Sequence, residues 1–122
     1  MGFLNDDKKD KLNSFVKFVK KELGIEKVPT ISIQANRDGL KTTAHYDYTK
    51  ENKIVRVYGK NRALVDIMRS VAHELVHHKQ FEEGRLLVKP ADIGGDIEDE
   101  ANSKAGQYIK LFAQIDGTIY DE

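Results

Sequence analysis

A long helix with polar residues in its centre is the feature that most constrains this fold. Residues 62–83 repeat apolar side chains at intervals of three and four, as in a helix that buries one face. This apolar stripe consists of Leu64, Ile67, Met68, Val71 and Leu75. The same segment contains the sequence SVAHELVHHKQF, with three histidines and a glutamate, at residues 70–81. The stripe predicts a core on one side of the helix, and the polar residues need a separate explanation.

The segments on either side of this helix predict an α+β domain. Residues 6–23 have a second apolar repeat of helical period, and Gly24 follows as a stop signal. Three intervening segments have the composition and alternation of strands: residues 28–35, 41–48 and 53–59. A last helix is predicted for about residues 97–114, with Asp96 as its N-cap. The expected order is a helix, a small antiparallel or mixed sheet and two helices, in one domain spanning residues 1–122.

Composition argues against several classes of function. The 122 residues carry 20 basic and 20 acidic side chains, a balance that is not typical of a dedicated nucleic-acid binder. The absence of cysteine excludes disulfides and thiolate metal sites. The sequence has no long apolar run, and its first residues lack the pattern of a secretory signal. We therefore expect a cytoplasmic protein without a membrane or nucleic-acid partner.

His73, Glu74 and His77 form the pattern His-Glu-x-x-His within the long helix. Two histidines four residues apart lie one turn apart on the same helix face, so both imidazoles can reach one ion. Zinc accepts such nitrogen ligands, and a catalytic zinc site keeps one position for water. A glutamate directly after the first histidine can accept a proton from that water. The pattern predicts one Zn²⁺ per chain, with Glu74 as general base.

A helical wheel separates the three histidines of the segment. At about 100° per residue, His73 and His77 fall nearly opposite the apolar stripe, so we expect them to face away from the core. The alternative for this pair is two solvent-facing histidines without a metal. His78 falls at the edge of the stripe, and we expect it to pack against the protein.

The third metal ligand is expected to be a carboxylate, because no histidine follows His78. Three acidic residues begin the last predicted helix: Glu98, Asp99 and Glu100. Glu98 falls within the inward arc of that helix, whereas the other two fall outside it, and Glu100 is placed to pair with Lys104. An inward carboxylate on an apolar face is costly unless it is paired or bound to a metal, which favours Glu98 as the ligand.

Two further residues bear on the predicted metal site. Asn102 lies one turn after Glu98 on the same face, where its side chain can hydrogen-bond a ligand histidine and fix its tautomer. Asp121 is an alternative third ligand, because the sequence GTIYD at residues 117–121 resembles the Gly-Thr-x-x-Asp motif of the aspartate-liganded zincins.

The motif His-Glu-x-x-His at residues 73–77 and the motif Glu-x-x-Ala-Asn at residues 98–102 together resemble the gluzincin zinc metallopeptidases. The sequence TTAHYDYTKENKIVRVYG at residues 42–59 is similar to the edge strand and hairpin that precede the active-site helix in that family. The resemblance implies a minimal zincin-like domain, in which the last helix carries the third ligand.

The resemblance also implies the activity of a metalloendopeptidase on protein or peptide substrates. A tyrosine or histidine is then expected to stabilise the oxyanion. The candidates are Tyr120, Tyr108, His45 and Tyr46. An extended substrate is expected to add to the strand at residues 42–48, by main-chain groups that include those of Thr43, Ala44 and His45, unless this is an ordinary edge strand. The alternative function is a zinc-containing binding or regulatory module of the same fold with little or no proteolytic activity.

Overall fold

The computed structural model describes residues 4–35, 44–47, 53–85 and 95–120. These residues form three α-helices and a three-stranded sheet, so the predicted α+β class is confirmed. The elements in chain order are α1 (Asp6–Leu23), β1 (Thr30–Gln34), β2 (Ala44–Asp47), β3 (Ile54–Tyr58), α2 (Leu64–Glu82), α3 (Gly95–Ile115) and a 3₁₀ helix (Gly117–Tyr120). None of the described helices is both long and apolar enough to span a membrane.

The sheet is mixed and has the strand order β1-β3-β2. β2 and β3 pair in antiparallel orientation, which agrees with the predicted hairpin. β1 pairs in parallel with β3, so a purely antiparallel sheet is wrong. A parallel pair needs a long connection, and the segment that contains β2 supplies it here. β3 is therefore the central strand of the described sheet, and β1 and β2 lie at its two edges.

The first helix ends and packs as its sequence predicts. Asn5 caps it, because its side-chain oxygen accepts a 2.8 Å hydrogen bond from the Lys8 amide. Gly24 ends it in the left-handed conformation, at φ 70°, which glycine adopts without strain. Phe15 of α1 is fully buried and meets Phe112 of α3 edge to face at 5.4 Å. This contact joins the two ends of the chain in one core.

α2 lies at the centre of the fold and is covered on more than one side. The predicted apolar stripe is confirmed, since each of its five residues is at most 1% exposed. The sheet and α1 contact α2, and α3 packs along it more extensively than any other element. The expectation that His77 faces away from the core is therefore wrong, because its side chain is 1% exposed. A wheel built on one stripe does not reveal a second neighbour on the opposite face.

α3 begins at Gly95, so Asp96 lies in the first turn and is not the predicted N-cap. The helix thus begins two residues earlier than expected, and its first residue, Gly95, has φ 55°, a left-handed conformation that glycine adopts without strain. After α3, the 3₁₀ helix is held by Ile119, which is fully buried. The end of the described chain is thus anchored against α2 and α3.

His78 packs against the protein, as the wheel predicts, and links three parts of the fold. Its Nε2 lies 2.8 Å from the Lys27 carbonyl oxygen, which can only accept, so Nε2 carries the proton. Its Nδ1 lies 2.7 Å from the Tyr46 hydroxyl and accepts from it. This histidine thereby ties α2 to β2 and to the segment after α1.

We predict that Tyr46→Phe lowers the free energy of unfolding by about 1–3 kcal/mol, because the buried Nδ1 of His78 then lacks its donor. Urea unfolding followed by circular dichroism measures the change. Tyr120→Phe is the matched control, because the Tyr120 side chain is exposed. Equal stability losses in the two variants would contradict the assigned hydrogen bond.

Candidate metal centre

Glu98 of α3 lies directly against the two histidines of the His-Glu-x-x-His motif. Its Oε2 is 3.1 Å from His73 Nε2, and its Oε1 is 3.0 Å from His77 Nε2. The two Nε2 atoms are 3.2 Å apart. A tetrahedral zinc ion with bonds of about 2.0–2.1 Å separates its ligand atoms by roughly 3.3–3.4 Å. The observed spacing fits one shared ion after a small expansion of the cluster.

The packing of two helices creates this convergence. His73 and His77 lie one turn apart on α2, and their rings meet edge to face with centroids 4.8 Å apart. Glu98 comes from the first turn of α3. The side chain of His77 is buried, whereas the side chains of His73 and Glu98 are 22% and 31% exposed. The cluster is therefore open to solvent on one side, where a water or substrate atom can approach.

Glu74 is buried beside the cluster and lacks a partner for one oxygen. Its side chain is 6% exposed, and its Oε2 has no hydrogen-bond partner among the described residues. Burial first, and then the charge of Glu98, raises the pKa of Glu74 to about 8. Glu74 and Glu98 are neighbouring acidic side chains whose negative charges repel each other, and such a pair fits a site that accepts a cation. The donor set and this unpartnered oxygen therefore match the predicted zinc site.

His73 is held in an environment that favours its neutral form. Burial and the neighbouring His77 lower its pKa, while Glu98 and a hydrogen bond with the Asn102 side chain act in the opposite direction. A neutral imidazole is the form that binds a metal. The Asn102 hydrogen bond is the contact that the sequence spacing predicts, and its role in orienting a metal ligand stays a prediction.

The other two acidic residues at the start of α3 do not join the cluster. Asp99 is exposed. Glu100 accepts hydrogen bonds of 2.9 Å from both Gln80 and Arg85. Burial acts to raise the pKa of Glu100, but these bonds and the charges of Lys104 and Arg85 lower it overall. The predicted partner Lys104 thus contributes by charge, while Arg85 and Gln80 make the hydrogen bonds.

Sequence reasoning missed Gln80, which contacts His77 directly. Gln80 Oε1 lies 2.8 Å from His77 Nδ1, and the Gln80 side chain is fully buried. The signal was available, because a residue three positions after His77 shares its helix face. However, Gln80 lies among residues that are expected to be solvated, and an amide in such a position does not by itself predict a contact with a metal ligand.

An open groove of about 590 Å³ adjoins the cluster through Asn102. Arg69 of α2, Lys110 of α3 and Tyr120 of the 3₁₀ helix are among the residues that line it. Tyr120 is therefore the oxyanion candidate that lines the same groove as Asn102, whose side chain is hydrogen-bonded to His73.

The remaining oxyanion candidates lie elsewhere. Tyr46 bonds to His78, and Tyr108 is buried, with its ring near that of Phe18. Because neighbouring strand residues point to opposite faces, His45 lies on the face of the sheet away from α2. The proposed substrate residues Ala44 and His45 form the start of β2.

Two predicted residues fall outside the described part of the chain. These are Thr43, in the proposed substrate strand, and Asp121, the alternative third ligand.

A scan against protein-family models finds no match to this sequence, and searches of curated proteins and of solved structures find none either. The site residues themselves are thus the starting point for a functional assignment.

We predict that Glu74→Gln stabilises the metal-free protein increasingly as pH rises from about 4.5 to about 8. Between the ordinary pKa of 4.5 and the raised value of about 8, the folded wild type holds a proton that the unfolded chain has released. Wild-type stability therefore falls with pH in this window, by an amount on the order of several kcal/mol, and the glutamine variant lacks this loss.

Urea unfolding of both chains in a chelator, at pH values from 5 to about 8.5, measures the difference. The comparison cancels the histidines and other groups that the two chains share. Parallel stability curves would show that the Glu74 carboxyl is not forced into its neutral form by burial.

Proposed function

We propose that this chain is a zinc-dependent metalloendopeptidase of the gluzincin type, with Glu74 as general base. The observation that carries the proposal is the convergence of His73, His77 and Glu98 at ligand spacing, next to a buried glutamate with an unpartnered oxygen. A mixed sheet whose last strand, β2, leads by a hairpin to β3 and then to α2 supports a zincin-like fold for the domain.

Zinc suits this donor set better than calcium or magnesium. Two imidazole nitrogens and one carboxylate are typical ligands of a catalytic zinc, whereas calcium and magnesium prefer oxygen ligands alone. Three protein ligands leave one position for water, and the partly exposed side of the cluster gives water access.

Zinc bound by these three residues would lower the pKa of its water to about 7 and would polarise the scissile carbonyl. Glu74 then takes up the proton at its carboxylate and delivers it to the leaving amine. Its Oε2, which has no hydrogen-bond partner among the described residues, can accept that proton. Without a neighbouring cation, a pKa of about 8 keeps Glu74 mainly protonated at neutral pH, so the residue acts as a base only beside a positive charge.

The groove lined by Asn102, the residue hydrogen-bonded to His73, is the proposed binding site for a protein or peptide substrate. Asn102 lines it next to the cluster, and Tyr120 lines it further along. Tyr120 is accordingly our first choice for the oxyanion donor. The strand β2 contacts α2, the helix that carries both histidines, so we retain Ala44 and His45 as candidates for main-chain contacts with an extended substrate.

A zinc-containing binding or regulatory module is the second candidate function. The burial of Glu74 and His77 favours it, because a closely packed site can hold an ion for structural reasons alone. Cleavage of peptides by the zinc-loaded protein distinguishes the two functions.

We predict about one zinc per chain in the purified protein, and a loss of affinity of more than about 100-fold in His77→Ala. Elemental analysis and calorimetric titration measure both. His45→Ala is the matched control, because His45 is exposed on β2, and Asp121→Ala tests the alternative ligand. A native protein without zinc affinity, or zinc loss in Asp121→Ala but not in Glu98→Ala, would overturn the assigned ligands.

We predict that Glu74→Gln retains zinc but cleaves peptides about 10²–10⁴-fold more slowly, because it cannot accept the proton. A peptide library analysed by mass spectrometry measures the cleavage. Asp99→Asn removes an exposed carboxylate near the cluster and is expected to keep full activity. Undiminished cleavage by Glu74→Gln would exclude Glu74 as the base, and zinc binding without any cleavage by wild type would favour the binding module.

A further inference from the structure

Gln80 is a fully buried amide with three polar contacts around it. Its Oε1 lies 2.8 Å from His77 Nδ1. Its Nε2 lies 3.1 Å from the Ile97 carbonyl oxygen and 2.9 Å from Glu100 Oε1. A buried amide with both ends satisfied has one defined orientation and holds its neighbours in place.

The partners of Gln80 decide which end of the amide faces which group. The Ile97 carbonyl and the Glu100 carboxylate are both acceptors, so the donor nitrogen of Gln80 must point towards them. The oxygen of the amide is then left facing His77 Nδ1. Because this oxygen can only accept, Nδ1 must carry a proton and donate it.

A proton on Nδ1 leaves the Nε2 of a neutral His77 with a lone pair. That Nε2 faces Glu98 Oε1 at 3.0 Å and His73 Nε2 at 3.2 Å. The tautomer that Gln80 selects is therefore the one that presents a ligand atom to the centre of the cluster.

We propose that Gln80 is a positioning residue that fixes His77 as its Nδ1–H tautomer and thereby prepares Nε2 to bind zinc. The proposal rests on the zinc site described above. It assigns a function to Gln80, a residue that touches neither the predicted ion nor a substrate.

The chain of contacts continues from Gln80 to the protein surface. Gly84, at φ 75°, turns the backbone after α2 so that the Arg85 amide donates to the Gln80 carbonyl at 2.9 Å. The Arg85 guanidinium then contacts both oxygens of Glu100, at 2.9 and 3.3 Å. Arg85 thus orients the carboxylate that orients the Gln80 amide.

Gln80→Met tests the proposal, because methionine keeps most of the side-chain volume but neither accepts from His77 nor donates to Glu100. In the metal-free wild type, at a pH where His77 is neutral, nitrogen NMR is expected to show a protonated Nδ1 and an unprotonated Nε2, although Glu98 Oε1 faces Nε2 at 3.0 Å. In Gln80→Met we expect a mixture of tautomers and a zinc affinity about 10–100-fold lower.

Glu100→Gln is the matched control for a merely structural effect. It removes the ion pair with Arg85 but keeps an acceptor for Gln80 Nε2, so the His77 tautomer and most of the zinc affinity are expected to persist. The double variant Gln80→Glu/Glu100→Gln exchanges the donor and the acceptor between positions 80 and 100 at constant net charge, at a cost in stability because the Ile97 carbonyl loses its donor. It is expected to restore the Nδ1–H tautomer that Gln80→Met loses.

Should Gln80→Met fail to fold, the double variant carries the test, and a mixed His77 tautomer in it would overturn the proposal. An unchanged tautomer and a zinc affinity within about twofold of wild type in a folded Gln80→Met would do the same. Because the tautomer is measured without metal, the proposal and the zinc site can fail separately. If the wild type shows the Nδ1–H tautomer but binds no zinc, the zinc site is wrong. If it binds zinc but shows a mixed tautomer, only the role of Gln80 is wrong.

Discussion

The packing of α3 against the polar side of α2 is the contact on which the candidate site depends. Without α3, His77 and Gln80 would lie on a solvated helix face. Their burial costs free energy unless each polar group gains a partner. α3 supplies those partners from one turn: Glu98 for the histidines, and the Ile97 carbonyl and Glu100 for Gln80. The same contact that closes the core thus assembles the site.

Features encoded within a few residues were predictable from the sequence. The apolar repeat of α1, the stop at Gly24 and the stripe of α2 follow from helical period and backbone preference alone. The position of His78 follows from its angle to that stripe. The choice of Glu98 over Asp99 and Glu100 needed only the inward arc of α3, and the short contacts to His73 and His77 agree with it.

Features that depend on which elements meet were not predictable in the same way. The parallel pairing of β1 with β3 leaves no local signal, since an alternating strand is compatible with either direction. The burial of His77 depends on α3, which begins about 18 residues further along the chain. The orientation of the Gln80 amide depends on Glu100 and the Ile97 carbonyl, which belong to another helix.

The different partners of Glu98 and Glu100 give the strongest physical reason to place a cation in the cluster. Glu100 has its charge balanced by Arg85 and by the Gln80 amide, and its pKa is lowered. The close partners of Glu98 among the described residues are two histidines, and the pKa of His73 is lowered, which favours its neutral form. Glu74, buried nearby, adds a second carboxyl whose pKa rises partly because of Glu98. A divalent cation between the three ligand atoms would offset both acidic groups at once, whereas a proton on one histidine would offset only one of them.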